Sequence, residues 1–471
     1  DLPTNEPPEQ PSAEQPSAEP ADAPFPEAAD VPGTEPPDAP MPDAPMPNVP
    51  IPDAPIPDVT DPETAETPET AETPDPETPE VLPPPPKDVG SLASEDQVLL
   101  KLEPQASVWQ RASFQGRLFS QQPLLALPTF RPKIALNSGI MLQLVDGTKL
   151  ELLPPDGRTS GGIKMAYGRV IIAPRAKAPC RVRLQIGDRS GVLVLPDAQS
   201  VVAVRVTSRR APDTDPQTEP ASVVAYVYPR TGNVFFEDAL WEEAEAQQPL
   251  ALQVGQCLVV DDLPVQAPID AGTLPGWSTT DGTSPLDRRA SKMVEPALLS
   301  SRSVNLSLTE LLDHRLSEVR WLAVRCLGHI GDFEPMVAAL NDPSHKAAWP
   351  AWPFYFEQLK DAITRGPDVA AQVRQAMQRQ YGQEAAASYR MLWGYTLQAL
   401  KDGEAKKLVG YLDHNLLALR VLSFINLEQM TGMRLYYEPE QTAAKRKQPI
   451  RSWNARLSSE NFWAKLAERG Q

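Results

Sequence analysis

Four histidines, three cysteines and one dense aromatic cluster are the side chains of this 471-residue chain best suited to bind or react. His314 and His414 occupy matching contexts, Leu312-Asp313-His314 and Leu412-Asp413-His414. Two imidazoles could ligate a metal, but histidines at equivalent places in a repeat point instead to one loop-packing role used twice. His329 and His345 complete the set, and all four lie in the C-terminal third. Cys180, Cys257 and Cys326 are far apart and odd in number, which fits neither a metal knuckle nor a disulfide framework. Each sits in an apolar run and is expected to be a buried free thiol. No metal and no cofactor are expected. Trp349, Trp352, Phe354, Tyr355 and Phe356 form an aromatic cluster broken by Pro350 and Pro353. They are a candidate contact patch for a sugar or peptide, with packing of a Pro-rich corner as the structural alternative.

Charge supplies a second candidate. Residues 160–210 hold ten bases against Asp188 and Asp197. Arg169, Arg175, Lys177, Arg181, Arg183 and Arg205 are thus a candidate face for an anionic partner. Residues 211–262 reverse the balance, with ten acids and Arg230 as the single base, so the two halves could also pair with each other. The bases lack the interleaved aromatics of a nucleic-acid platform, and no nucleic acid is expected as partner. The chain carries no HExxH, no GxSxG, no Walker-type loop and no GxGxxG between strand and helix. The expectation is a protein without enzymatic activity. A carbohydrate-active enzyme with a dispersed carboxylate pair is an alternative.

The elements around these residues fall into four stretches. Residues 1–90 carry 22 Asp/Glu, Lys87 as their only base, and 28 of the 54 prolines. The net charge of -18 is therefore segregated, and the remaining residues, with 40 acids and 43 bases, are close to neutral. Asp38-Ala39-Pro40-Met41-Pro42 repeats with period five, and Pro62-Glu63-Thr64-Ala65-Glu66-Thr67 recurs from Pro68. Proline this dense removes backbone donors and fixes φ, so a disordered, extended spacer is expected. The chain starts at Asp1 without Met, and a signal peptide or membrane tether is expected upstream.

Residues 91–263 read as an all-β antiparallel, sandwich-like domain. Ile140, Leu142 and Leu144 alternate, Asp146-Gly147 reads as a tight hairpin turn, and Leu150 and Leu152 resume on the return. Cys180, Val182, Leu184 and Ile186 alternate with Arg181, Arg183 and Gln185. Short strands follow at Val192–Leu195, Val201–Val206, Val223–Tyr228, Val234–Phe236, Leu250–Val254 and Cys257–Val260, with no helical period between them.

The stretches LQLVDGTKLELL, GRVIIAP with RVRLQIGDRSGVLVL, and GNVFFEDALWEEAEAQQPLALQVGQCLVVDD resemble the FecR-type β domain of bacterial envelope sensors over about residues 134–262. That resemblance implies a module on the outer side of the cytoplasmic membrane that relays a signal inward. No cytoplasmic segment controlling a sigma factor accompanies it in this sequence.

Residues 264–303, with Pro275-Gly276 and Asp281-Gly282, read as a linker. Residues 304–471 switch to a helical period. Val319, Leu322, Ala323, Cys326, Leu327 and Ile330 form one apolar stripe, and Leu419, Leu422, Ser423, Asn426, Leu427 and Met430 repeat it. Asp313 and Asp413 are expected to cap the two helices. Other helices are expected at Glu334–Leu340, Tyr355–Thr364, Asp368–Tyr381, Glu384–Leu400, Ala443–Leu457 and Asn461–Arg469. The pattern resembles an all-α HEAT-type repeat. The whole arrangement resembles multidomain envelope proteins of planctomycete-type bacteria. It implies a periplasmic or extracytoplasmic sensing and binding protein, whose partner is another protein or an anionic envelope polymer. A structural or adhesive component of the envelope matrix is the alternative.

Overall fold

In the computed structural model, residues 85–469 are described apart from 104, 176–177, 239–247, 280–281 and 344–350. The Pro-rich spacer reading falls almost wholly outside them. Sixteen strands among these residues, β1 (Asp88–Leu92) to β16 (Ile269–Asp270), form a connected sheet. Thirteen α-helices follow, α1 (Gly276–Thr279) to α13 (Glu460–Arg469). A β-rich region succeeded by a helical one is thus the architecture, as the change of period from 2 to 3.6 anticipates.

Two 14-residue strands, β7 (Ile140–Leu153) and β8 (Gly161–Pro174), run antiparallel through the middle of the sheet. The reading of Asp146-Gly147 as a hairpin turn is corrected here. Both residues do adopt positive φ, 45° and 62°, but the chain continues along the same strand. The pairing with β8 slips between Val145 and Lys149, so the two residues make a bulge that bends the strand instead of reversing it. Before the bulge β7 pairs with β6 (Lys133–Leu136), and after it with β5 (Pro123–Ala126). Opposite the bulge, Gly168 has φ 111°, and a Cβ there would lie 2.4 Å from Thr148 Oγ1. The fully buried Thr148 hydroxyl donates to the Val145 carbonyl at 2.7 Å and accepts from the Arg169 N–H at 2.7 Å, closing the gap the bulge opens in the ladder.

The sheet is mixed, which corrects the wholly antiparallel expectation. The bend gives β8 two different neighbours. Its first half pairs in parallel with β9 (Cys180–Ile186), and its second half pairs antiparallel with β11 (Val201–Arg209). In β9 the sequence alternation holds, since Cys180, Val182, Leu184 and Ile186 are buried between half-buried neighbours. They join inward residues from β7, β8, β10 (Arg189–Leu195) and β12 (Ser222–Thr231) in one apolar core.

Residues 264–303 hold the helix α2 (Pro285–Val294), whose Ala290 and Val294 are fully buried. They meet Leu100 and Leu125 of the sheet, the adjoining Val98, and Val319, Leu322 and Cys326 of α4 (Ser317–His329) in a shared apolar cluster. Sheet and helices accordingly belong to one compact unit, Val81–Gln471. A separate apolar cluster fills the helical region around Trp352, Phe424 and Trp453. One helix expectation there is corrected. Glu384–Leu400 is broken into α8 (Ala385–Arg390) and α9 (Leu397–Ala399). Gly394 between them has φ 79°, and Asp213 of the β11–β12 connection accepts from Arg390 and from the Thr396 N–H at 2.6 Å.

Candidate functional site

The basic residues largely find acids of their own chain. Arg181 forms a forked pair with Glu237, at 2.9 and 2.5 Å, and Arg189 pairs with Asp238 at 3.1 Å. Both acids sit on β13 (Val234–Asp238), which neighbours β10 in the sheet. Arg183 pairs with Asp156, and Arg169 lies 3.7 Å from Asp146. Lys177 lies outside the described residues. Of the five described, three therefore lie beside acids of this chain, and Arg175 and Arg205 are exposed.

The aromatic cluster also divides. Trp352, Tyr355 and Phe356 are fully buried in the helical core, and the Trp352 indole donates to the Ala339 carbonyl at 3.0 Å. They lie on α6 (Ala351–Ala362), whose helical spacing turns Phe354 the other way, 50% exposed. Among the described residues of the cluster only Phe354 is exposed, and Trp349 lies outside them. Phe354 packs on Trp321, and Arg325 lies over both rings at 5.8 and 4.9 Å.

The two repeated histidines do occupy equivalent loops. His314 Nδ1 accepts the Leu316 N–H at 3.2 Å, and His414 Nδ1 accepts the Leu416 N–H at 3.1 Å. Arg320 and Arg420 each reach back to the histidine's own carbonyl, at 2.7 and 2.6 Å. Asp313 and Asp413 do not cap the following helices, which is a correction. Leu316 and Leu416 hold the cap positions without a side-chain hydrogen bond, and Asp413 pairs with Arg446 at 3.1 Å. In each loop the imidazole, and not the aspartate, takes this acceptor role.

A cleft of about 500 Å³ opens between the bent β7–β8 pair and the ends of two helices. Trp109, Lys149, Tyr167 and Lys164 line it from the sheet, and His329 and Arg365 from the helices. The bulge borders it through His329. His329, at the C-terminal end of α4, rests on Gly147, where a Cβ would come within 2.5 Å of the ring. Tyr167 lies 6.1 Å from that ring, centroid to centroid, and Arg365 stacks on Tyr167 at 4.0 Å. Asp361 holds the Arg365 guanidinium at 2.7 Å, and Arg365 donates to the Tyr167 hydroxyl at 3.3 Å. A side pocket on the other side of the bulge includes Asp146, Arg169 and Arg205.

Burial sets the charge states. It holds the His329 imidazole well below the ordinary histidine range, with the Arg365 and Arg325 charges acting the same way, so the ring is neutral at pH 7. Its Nδ1 is buried with no hydrogen-bond partner among the described residues. Burial also raises the Tyr167 hydroxyl, which stays protonated. Lys149 is lowered, first by burial and then by the Arg365 charge, with Glu151 opposing. Its ammonium lies 5.8 Å from the centre of the Trp109 ring. Such a site offers cations, an aromatic wall and neutral hydrogen-bonding groups, which suits binding.

Sequence reading did not single out Lys149, Tyr167 or Arg365, and met His329 only as one of four histidines. The visible signal was Asp146-Gly147, whose left-handed pair marks a bulge as well as it marks a turn. Cys180, Cys257 and Cys326 are buried and form no disulfide among the described residues. Among the described residues no group of three or more His, Cys, Asp or Glu is placed to hold a metal, and no helix is long and apolar enough to cross a membrane. Compared with known proteins, the chain matches no family model and no curated protein.

Proposed function

We propose that this chain is a non-enzymatic binding module of a bacterial envelope, which takes a ligand where its sheet meets its helices. The observation that carries this reading is the cleft itself, since both regions contribute walls to it and His329, one of its lining residues, packs directly against the bulge. A ligand there touches β7, β8 and the ends of α4 and α6 at once, so binding would change how firmly the two regions hold each other. That is the property required of a sensor. The quoted FecR-like stretches supply strands on both sides of the bulge, and the paired histidine loops favour a HEAT-like description of the helices. Absence of catalysis is part of the proposal. It is supported by the occupation of Arg365 by Asp361 and Tyr167, and by a tyrosine that keeps its proton.

The test is thermal unfolding of the full chain with a panel of small metabolites covering anions, cations and neutral compounds. At a hundredfold excess over Kd, a ligand of the native state raises Tm by on the order of a few degrees. Ala166 lines the cleft from an exposed position, and Ala166→Trp is expected to fill the space and abolish the shift. A panel without any shift, or a shift that survives Ala166→Trp, would sink the proposal.

A further inference from the structure

The cleft also indicates what kind of ligand it takes. Its charged groups are unequally satisfied. Arg365 has Asp361 and the Tyr167 hydroxyl, and Lys164 is exposed to solvent. The ammonium of Lys149, half-buried between them, makes no hydrogen bond and no ion pair among the described residues; the Trp109 ring lies 5.8 Å away, and Glu151 acts on it only through space. The balance is three bases, Lys149, Lys164 and Arg365, against the two acids Glu151 and Asp361, which leaves one positive charge. Burying an ammonium without a carboxylate or phosphate beside it is costly, and its depressed basicity records that cost. An anion arriving at Lys149 relieves it. Beyond Lys149 the walls are largely apolar, with Trp109, Pro123, Ile330 and Val369.

Resting on the binding reading above, we propose that the cleft holds a small organic carboxylate, its headgroup on the Lys149 ammonium and its apolar body along Trp109 and Ile330. One uncompensated charge matches one carboxylate. A phosphate dianion would lack a second enclosed cation, since Lys164 is exposed, and a neutral sugar would leave Lys149 as unsatisfied as before. The volume of about 500 Å³ accommodates a body of six to ten heavy atoms with room for water.

Calorimetric titration of the full chain with hexanoate and phenylacetate, beside hexanamide, phenylacetamide and inorganic phosphate, tests this. The carboxylates are expected to bind at least about tenfold more tightly than their amides, since each good charged contact is worth about a factor of ten. Lys149→Met keeps the apolar stem and is expected to lower carboxylate affinity at least about tenfold. Because it removes a strained ammonium, its Tm should equal or exceed that of the parent, which separates loss of binding from loss of fold. Lys406→Met, at an exposed position outside the cleft, should change affinity less than about threefold. Equal binding of amide and carboxylate overturns the proposal, as does preference for phosphate or undiminished affinity in Lys149→Met. Binding of a neutral or cationic compound that Ala166→Trp abolishes would overturn the carboxylate and leave the cleft standing. Silence of every compound would remove the cleft as well.

Discussion

The helices α4 and α11 (Leu417–Thr431) begin alike and end differently. At their starts a histidine ring accepts the same N–H and an arginine reaches back to the same carbonyl, within about 0.1 Å in both loops. At their ends the equivalent positions are His329 and Gln429. His329 sits against the bulge of the sheet, neutral and enclosed, whereas Gln429 pairs with Glu357 near the surface. The stripes also differ. Cys326 faces the cluster shared with the sheet, and its counterpart Asn426 is buried among helices, donating to the carbonyls of Met391 and Leu422 at 3.1 and 2.8 Å. A repeat thus conserves the contacts a segment makes with itself and releases those that depend on its neighbours. The candidate site grew at the released end.

Three substitutions or titrations probe that contrast, the largest effect first. Arg420 is buried and donates to the carbonyls of Pro439, His414 and Asn415, while Arg320 is half-buried and serves only its own loop. Arg420→Ala should therefore cost about 3 kcal/mol in denaturant unfolding and Arg320→Ala about 1 kcal/mol. Equal costs would mean that the loop, and not its burial, sets the energy.

Next come the glycines at the two helix ends. Gly432, with φ 69°, closes α11 into open space, so Gly432→Ala should cost about 1 kcal/mol from the left-handed backbone alone. Gly147 has a similar φ of 62° but carries His329 against it. Gly147→Ala should cost about 2 kcal/mol or more and weaken ligand binding, read by the same unfolding curves and by titration. A cost no larger than that of Gly432→Ala would show that the His329 contact is slack.

The third probe is pH. His329 is faced by Tyr167, Arg365, Arg325, Asp361 and Asp146, and its folded pKa lies below its unfolded value. The unfolded chain therefore takes up a proton first as pH falls through about 6.5, and the folded chain does not follow until lower pH. Stability attributable to this group is present above about pH 6.5 and declines below it, by up to about tenfold in the folding constant per pH unit. His329→Gln should flatten that decline between pH 7.5 and 5.5. An unchanged slope would place the titration elsewhere.

Much of the fold was legible because local period survives folding. The alternation from Cys180 to Ile186 is the buried pattern of β9, and Val319 to Leu327 is the buried stripe of α4. The paired histidine loops could also be read, since their contacts close within six residues. The cleft could not. Lys149, Tyr167, His329 and Arg365 are brought together across as many as 216 positions, and none of them breaks the pattern of its own element. Asp146-Gly147 shows the limit most plainly. Two left-handed residues dictate a sharp local deviation, but whether it reverses a strand or only bends it depends on which partner pairs beyond it.

By itself, then, the sequence determined the succession of an acidic Pro-rich stretch, a β region and a helical region, together with the inward faces of most elements. Those follow from proline's missing donor, from alternation at period 2 and from stripes at period 3.6. The tertiary structure alone decided the parallel β8–β9 pair, the inward turn of Trp352, Tyr355 and Phe356, the internal pairing of the arginines and the unpaired Lys149. Each depends on what lies across a gap in space. Burial and charge are properties of that neighbourhood, and a residue's type does not carry them.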